Sequence, residues 1–206
     1  MEKKYELTNE TIEVNVDNDE VITLHRIKAL RDFGITIAGD LGGWIEKEYN
    51  LSHEGNAWVY GNAKVYGDAE VYGNAEVYDN AIVCNRARIY DNAKVYGDAE
   101  VFNDAKVYGD AEVYGNAEVY GATKVSGNAK ISSNDDFVPI SNFGSENRDT
   151  TFFRCEDGLV RVQCGCFYGT LDEFRAKVKE THDESKFAKE YLMLADLIEL
   201  RLGIEE

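Results

Sequence analysis

Few residues in this chain can move a proton near neutral pH: the histidines are His25, His53 and His182. Histidine is the usual general base, and a base must reach the proton it takes. None of the three falls within the regular stretch at residues 55–132; His53 stands just before it and reads as a structural residue of a capping segment. Metal binding is a second chemistry to weigh, because Cys155, Cys164, Cys166 and His182 offer four zinc-type donors. Cys-x-Cys is an unusual zinc spacing, and alternate residues of a strand share a face anyway. Reduced thiols are therefore expected, with no metal and no other cofactor. A third possibility is a ligand surface. Tyr72, Arg88, Tyr90, Lys106, Tyr108 and Lys124 set cations among rings, a combination that suits nucleotides or single-stranded nucleic acid, although a solvated face is the plainer reading.

The element that must position these groups is a six-residue unit repeated thirteen times without insertion over residues 55–132. Each unit reads alanine, a variable residue, valine, tyrosine, then two residues from the Gly/Asn/Asp group. A hexapeptide period is a signature of β-helices. Side chains alternate across a strand, so Ala and Val point inward while the variable residue and Tyr point outward. The Gly/Asn/Asp pairs supply the positive-φ residues that sharp corners need.

With three units per coil, residues 18 apart stack. The first face carries Trp58 and Tyr60, then Glu76, Lys94, Glu112 and Lys130 in alternating sign, which favours neighbouring strands. The second face is the most apolar, with Tyr66, Ile82, Cys84, Phe102 and Tyr120; it is the expected subunit contact of a homotrimer. The third is the basic one, with Arg88, Lys106 and Lys124.

Net charge is −17, distributed as −6 over residues 1–54, −4 over residues 55–132 and −7 over residues 133–206. The rod is thus too diluted in acid to mimic DNA well, and duplex DNA binding is not expected. No apolar run spans a membrane and no cleavable leader is read at residues 1–10, so a cytoplasmic protein without membrane contact is expected.

The flanks read as caps. Residues 1–54 give an N-terminal β cap, with strands at 5–16 and 21–30 joined through Asp17, Asn18 and Asp19. The glycine-rich run at 39–43 lacks the spacing of either common phosphate loop. Residues 133–150 read as a linker. Residues 151–206 read as a ββαα module, with a capping box at Thr170–Glu173 and a second helix from about Ser185 to Leu202, stopped by Gly203.

The repeat units, together with residues 27–30, 39–46, 50–52 and 55–60, resemble the left-handed parallel β-helix of hexapeptide-repeat proteins encoded by phages and prophages. Residues 164–173 and 179–182 resemble a C-terminal module of phage proteins. The resemblance implies a mainly β fold with a small α+β module, in a bacterial cytoplasm. Many hexapeptide-repeat proteins are acyltransferases that use a histidine near the helix, and the rod has neither histidine nor inserted loop. A non-catalytic binding protein is therefore expected, and the phage resemblance implies that it engages a host protein, as in blunting a bacterial defence. The alternatives are a sponge for nucleotide-like small anions held in clefts between subunits, a structural or assembly protein, and a divergent acyltransferase.

Overall fold

The computed structural model describes residues 2–16 and 20–203. The turn expected at Asp17, Asn18 and Asp19 lies outside the described residues.

The repeat forms a parallel β-solenoid of thirteen two-residue strands, stepping by six from Trp58–Val59 to Lys130–Ile131. Each strand pairs with those 18 residues away, as Lys94 does with Glu76 and Glu112. Inward Val and Ala side chains are fully buried from Ala57 to Val119. Sequestering each Val contributes about 1.5–3 kcal/mol relative to an exposed side chain. Corner residues adopt left-handed backbone, with φ of 73° at Gly73 and 57° at Asp91. Asn and Asp tolerate this conformation where glycine is absent. The other corner residue builds side-chain ladders, Asn56 donating to Asn74, Asn74 to Asn92, and Asn92 to Asp110, at 3.1, 3.1 and 2.9 Å.

The rod begins before the repeat does. Trp44 and Ile45, in the strand Leu41–Ile45, pair in parallel with Lys64 and Val65, and Leu51 bridges Val71. These two additions bring the solenoid to five coils. The glycine pair that precedes Trp44 has a packing role. A Cβ on Gly42 would lie 2.5 Å from Ile27 Cγ1, and one on Gly43 would lie 2.7 Å from the Ala63 carbonyl oxygen.

Antiparallel strands Tyr5–Asn15 and Val21–Ala29 continue the second-face sheet beyond the first coil, closing the edge it would otherwise expose. This cap also folds over Trp58, packing it edge-on against Phe33 and Tyr5 at 5.1 and 6.0 Å. Trp58 is therefore buried rather than displayed on the first face.

At the other end, residues 133–150 form more than the linker expected of them. Strand Phe137–Phe143 joins Arg148–Arg154, Val160–Cys164 and Phe167–Thr170 in an antiparallel sheet. Alternation within Arg148–Arg154 splits its aromatics, so that Phe153 joins the solenoid core while Phe152 joins the helices. Polar composition hid the strand because only Phe137 is deeply buried within it. The rod accommodates the sheet by placing Ser126 where other units carry Tyr; its hydroxyl reaches Gln163 at 3.4 Å. Helices Leu171–His182 and Lys186–Leu202 pack on the far side of the sheet. The first opens on a reciprocal Thr170–Glu173 capping box, with distances of 2.7 and 3.1 Å, and the second ends at left-handed Gly203. Among the described residues, no helix is long and apolar enough to cross a membrane.

Candidate functional site

The strongest grouping of chemistry-bearing side chains lies where the N-terminal cap meets the third face. A short 3₁₀ turn, Glu48–Asn50, carries the chain from the Leu41–Ile45 strand to Leu51. Asn50 is buried and its amide donates to the Gly67 and Ala69 carbonyls, at 3.1 and 2.8 Å, which fixes the turn on the first coil. Glu48 and His53 are thereby brought together, with His53 Nε2 2.9 Å from Glu48 Oε1.

The His53 tautomer follows from its partners. Nδ1 accepts the Lys4 backbone N–H at 3.1 Å, so the ring proton sits on Nε2 and is donated to Glu48. The ring stacks on Tyr5 at 4.4 Å between centroids. The Tyr5 hydroxyl lies 2.5 Å from the Glu48 carbonyl and 2.9 Å from that of Leu51. Burial, then the Glu48 charge, raises the Tyr5 pKa, which keeps this phenol neutral. Hydrogen bonds from Lys3 and then His53 hold the Glu48 carboxyl below its ordinary value, so it remains an anion facing the imidazole.

Next to this pair lies Lys4, a fully buried lysine. Its ammonium donates to the Ala57 carbonyl at 2.7 Å and sits 5.0 Å above the Phe33 ring. Burial, and secondarily the Arg31 charge, lower its pKa to about 8. A cavity of about 610 Å³ opens here, lined by Glu48, Tyr49, Ser52, His53, Glu70 and Tyr72 among others. An imidazole oriented by a carboxylate at the mouth of a cleft can accept a proton from a hydroxyl or amine once the Lys4 N–H leaves Nδ1. Sequence reading set His53 aside as an isolated cap residue. Its carboxylate partner is five positions away, at no spacing that marks a catalytic motif, and only the turn at 48–50 makes the two neighbours.

The residues singled out on the solenoid fall where their spacing placed them. Tyr72, Tyr90 and Tyr108 stack at 5.0 and 4.9 Å with ring planes within 2° of parallel. Tyr72 also lines the His53 cavity. Burial, then the neighbouring Tyr108, push the Tyr90 phenol up to about 12, so the middle ring of this column stays neutral. Arg88, Lys106 and Lys124 stand beside it in adjacent register. On the second face Tyr66, Ile82, Cys84 and Phe102 are half-buried and Tyr120 is exposed, with Phe102 and Tyr120 stacked at 5.7 Å.

The four candidate zinc ligands do not form one cluster, because Cys155 is kept apart from the other three. Cys155 is buried in the core at the rod's end, while Cys164, Cys166 and His182 border a separate cleft in the C-terminal module. Among the described residues no three His, Cys, Asp or Glu side chains are grouped to hold a metal. The physical reason is the sheet itself: Cys155 and Cys164 lie at opposite ends of the hairpin formed by Arg148–Arg154 and Val160–Cys164.

No protein-family model matches the chain. The chain is similar to an uncharacterized acetyltransferase, YdcK, of Escherichia coli (strain K12), being 39% identical to it over 61 residues. That stretch is 28% of this chain and 19% of the relative, so the likeness spans about a fifth of that protein's length. The expectation of a non-catalytic binding protein is corrected by this likeness to a protein described as an acetyltransferase. The absence of a histidine inside the rod had argued against that class; the geometry at its entrance weakens the argument, because His53 is coupled to Glu48 there.

Proposed function

We propose that this protein transfers an acyl group from a thioester to a hydroxyl or amine, with His53 as general base and Glu48 as the carboxylate that orients it. The observation that carries the reading is the Glu48–His53 pair, 2.9 Å apart, on the cavity that Tyr72 and Glu70 help to wall. The acceptor displaces the Lys4 N–H from Nδ1, a contact of 3.1 Å, and gives its proton to that nitrogen. The resulting imidazolium keeps its Nε2–H on Glu48, whose charge stabilises it. The acceptor's lone pair forms the new bond to the thioester carbonyl, the C–S bond breaks, and the proton on Nδ1 passes to the departing thiolate.

The test is thiol release from acetyl thioesters, measured across a panel of amine and hydroxyl acceptors. Acceptor-dependent release that falls about 10²–10⁴-fold in His53→Gln supports the reading. Release that is absent from the wild-type protein, or unaltered in the variant, overturns it.

The same reading includes a homotrimer closed through the second face, where Tyr120 is 44% exposed beside Phe102. Replacing Ile82 and Phe102 together with lysine is expected to give monomers in sedimentation, and an unchanged mass refutes the contact.

A further inference from the structure

The third face carries a charge arrangement that differs from that of its neighbours. Lys106 pairs in register with Arg88 on one side and Lys124 on the other. Three cations thus follow one another at a strand spacing of roughly 4.8 Å. Like charges directly opposite each other destabilise a ladder. The first face avoids this by alternation, with Lys94–Glu76 at 3.7 Å and Lys130–Glu112 at 3.1 Å. On the second face only Glu100 and Glu118 stand as a like pair.

Part of the positive charge on the third face is already neutralised. Arg88 lies 3.5 Å from Glu70, and Arg86 is fixed by two contacts to Asp104 at 2.7 and 2.8 Å. Among the described residues, no carboxylate comes within 4.0 Å of the Lys106 or Lys124 ammonium. Both line a cleft of about 250 Å³ with Arg86, Arg88, Asp104, Ala122 and Asp149. Its wall therefore holds four cations and two carboxylates, in a chain whose net charge is −17. The C-terminal sheet closes one side of it, where the Lys124 backbone N–H donates to Thr151 Oγ1 at 3.3 Å. The cleft lies at the opposite end of the face from the His53 cavity, whose wall includes Glu70.

We propose that this cleft binds a phosphate-type dianion, either inorganic phosphate or the phosphate group of an ester, with Lys106 and Lys124 as the principal contacts and Arg88 as the third. Two negative charges match the two ammonium groups that have no carboxylate partner, and oxyanion oxygens accept the charge-assisted hydrogen bonds that they offer. A monoanionic carboxylate would leave one ammonium uncompensated. Asp104 holds the Arg86 fork, so Arg86 contributes field rather than contact.

The experiment is calorimetric titration of the full chain with pyrophosphate, with phosphate, and with a phosphate monoester, each at two salt concentrations. Saturable binding of one dianion per chain, weakened by salt and by about tenfold or more in Lys106→Glu, is expected. Tighter binding of the ester than of inorganic phosphate identifies an organic phosphate as the occupant; the reverse identifies the inorganic ion. Lys106→Glu also restores sign alternation along the ladder, so without ligand this variant should melt no lower than the wild type. If it fails to fold, Lys124→Gln takes its place with the same expected loss of binding. No saturable heat with any of the three anions overturns the site, as does equal binding by the variant. Equally, a fall in sedimented mass on charge reversal, with anion binding unchanged, would assign these cations to contact with a second copy and overturn the proposal.

Discussion

The two ends of the solenoid face the same physical demand and meet it with different chemistry. Each terminal coil has an open strand edge and an apolar interior that must be closed. At the C-terminal end the seal is mostly hydrophobic: Phe137, Phe153 and Cys155 enter the core, and burial pushes the Cys155 thiol up to about 11, leaving it inert. At the N-terminal end the seal includes Lys4, Tyr5 and the Glu48–His53 pair, all tied by hydrogen bonds to the backbone or to one another. Burying an ammonium costs stability even when it is hydrogen-bonded. The polar seal carries that cost, and it is the one that leaves an imidazole side chain 20% exposed beside a cavity. Closing a fold and presenting an imidazole beside a cavity are separable tasks, and the buried Cys155 end does not present one.

Breaking that contrast begins with catalysis. His53→Gln is expected to lower thioester turnover about 10²–10⁴-fold, whereas Cys155→Ala at the other end leaves turnover unchanged. Equal losses from both substitutions would erase the distinction. Next in size is the hydrophobic seal: Phe153→Ala removes a fully buried ring and should cost about 3–5 kcal/mol in denaturant unfolding. A cost below about 1 kcal/mol would mean that the C-terminal sheet does not close the rod in solution.

The polar seal has its own signature in pH. The folded-state pKa of Lys4, about 8, lies below its ordinary 10.5, so between those values the unfolded chain holds the extra proton. Stability contributed by this group therefore rises as pH climbs from 8 to 10.5, by at most about 3 kcal/mol, and is flat below 8. Subtracting the profile of Lys4→Met isolates the effect from other lysines and from Arg31. A difference profile without slope in that window would show that the ammonium is solvated. The smallest expected effect lies outside both seals. Thr170→Ala should cost about 1 kcal/mol through loss of the capping box, without altering turnover.

Much of this architecture was legible before any coordinates. The inward Ala and Val columns, the corner chemistry and the 18-residue stacking follow from a period repeated too faithfully to admit another register. The sequence does not reveal that the rod starts upstream. Leu41–Ile45 and Leu51 belong to no repeat unit, and only their pairing with the first coil makes them part of the solenoid. Phe137–Phe143 was hidden for a related reason: its partner strand, not its own alternation, holds it in place. His53 was visible as a residue but not as half of a pair.

By itself, then, the sequence determined everything that depends on local repetition: which side chains enter the prism, which line each flank, and where like charges must meet. Tertiary structure alone decided how the ends close and which distant groups they join. Glu48, His53 and Lys4 meet because the cap folds back across the first coil. Periodicity specifies neighbours one coil away, since every coil presents the same geometry to the next. It carries no information about a terminus, where the repeat stops and contacts are made once.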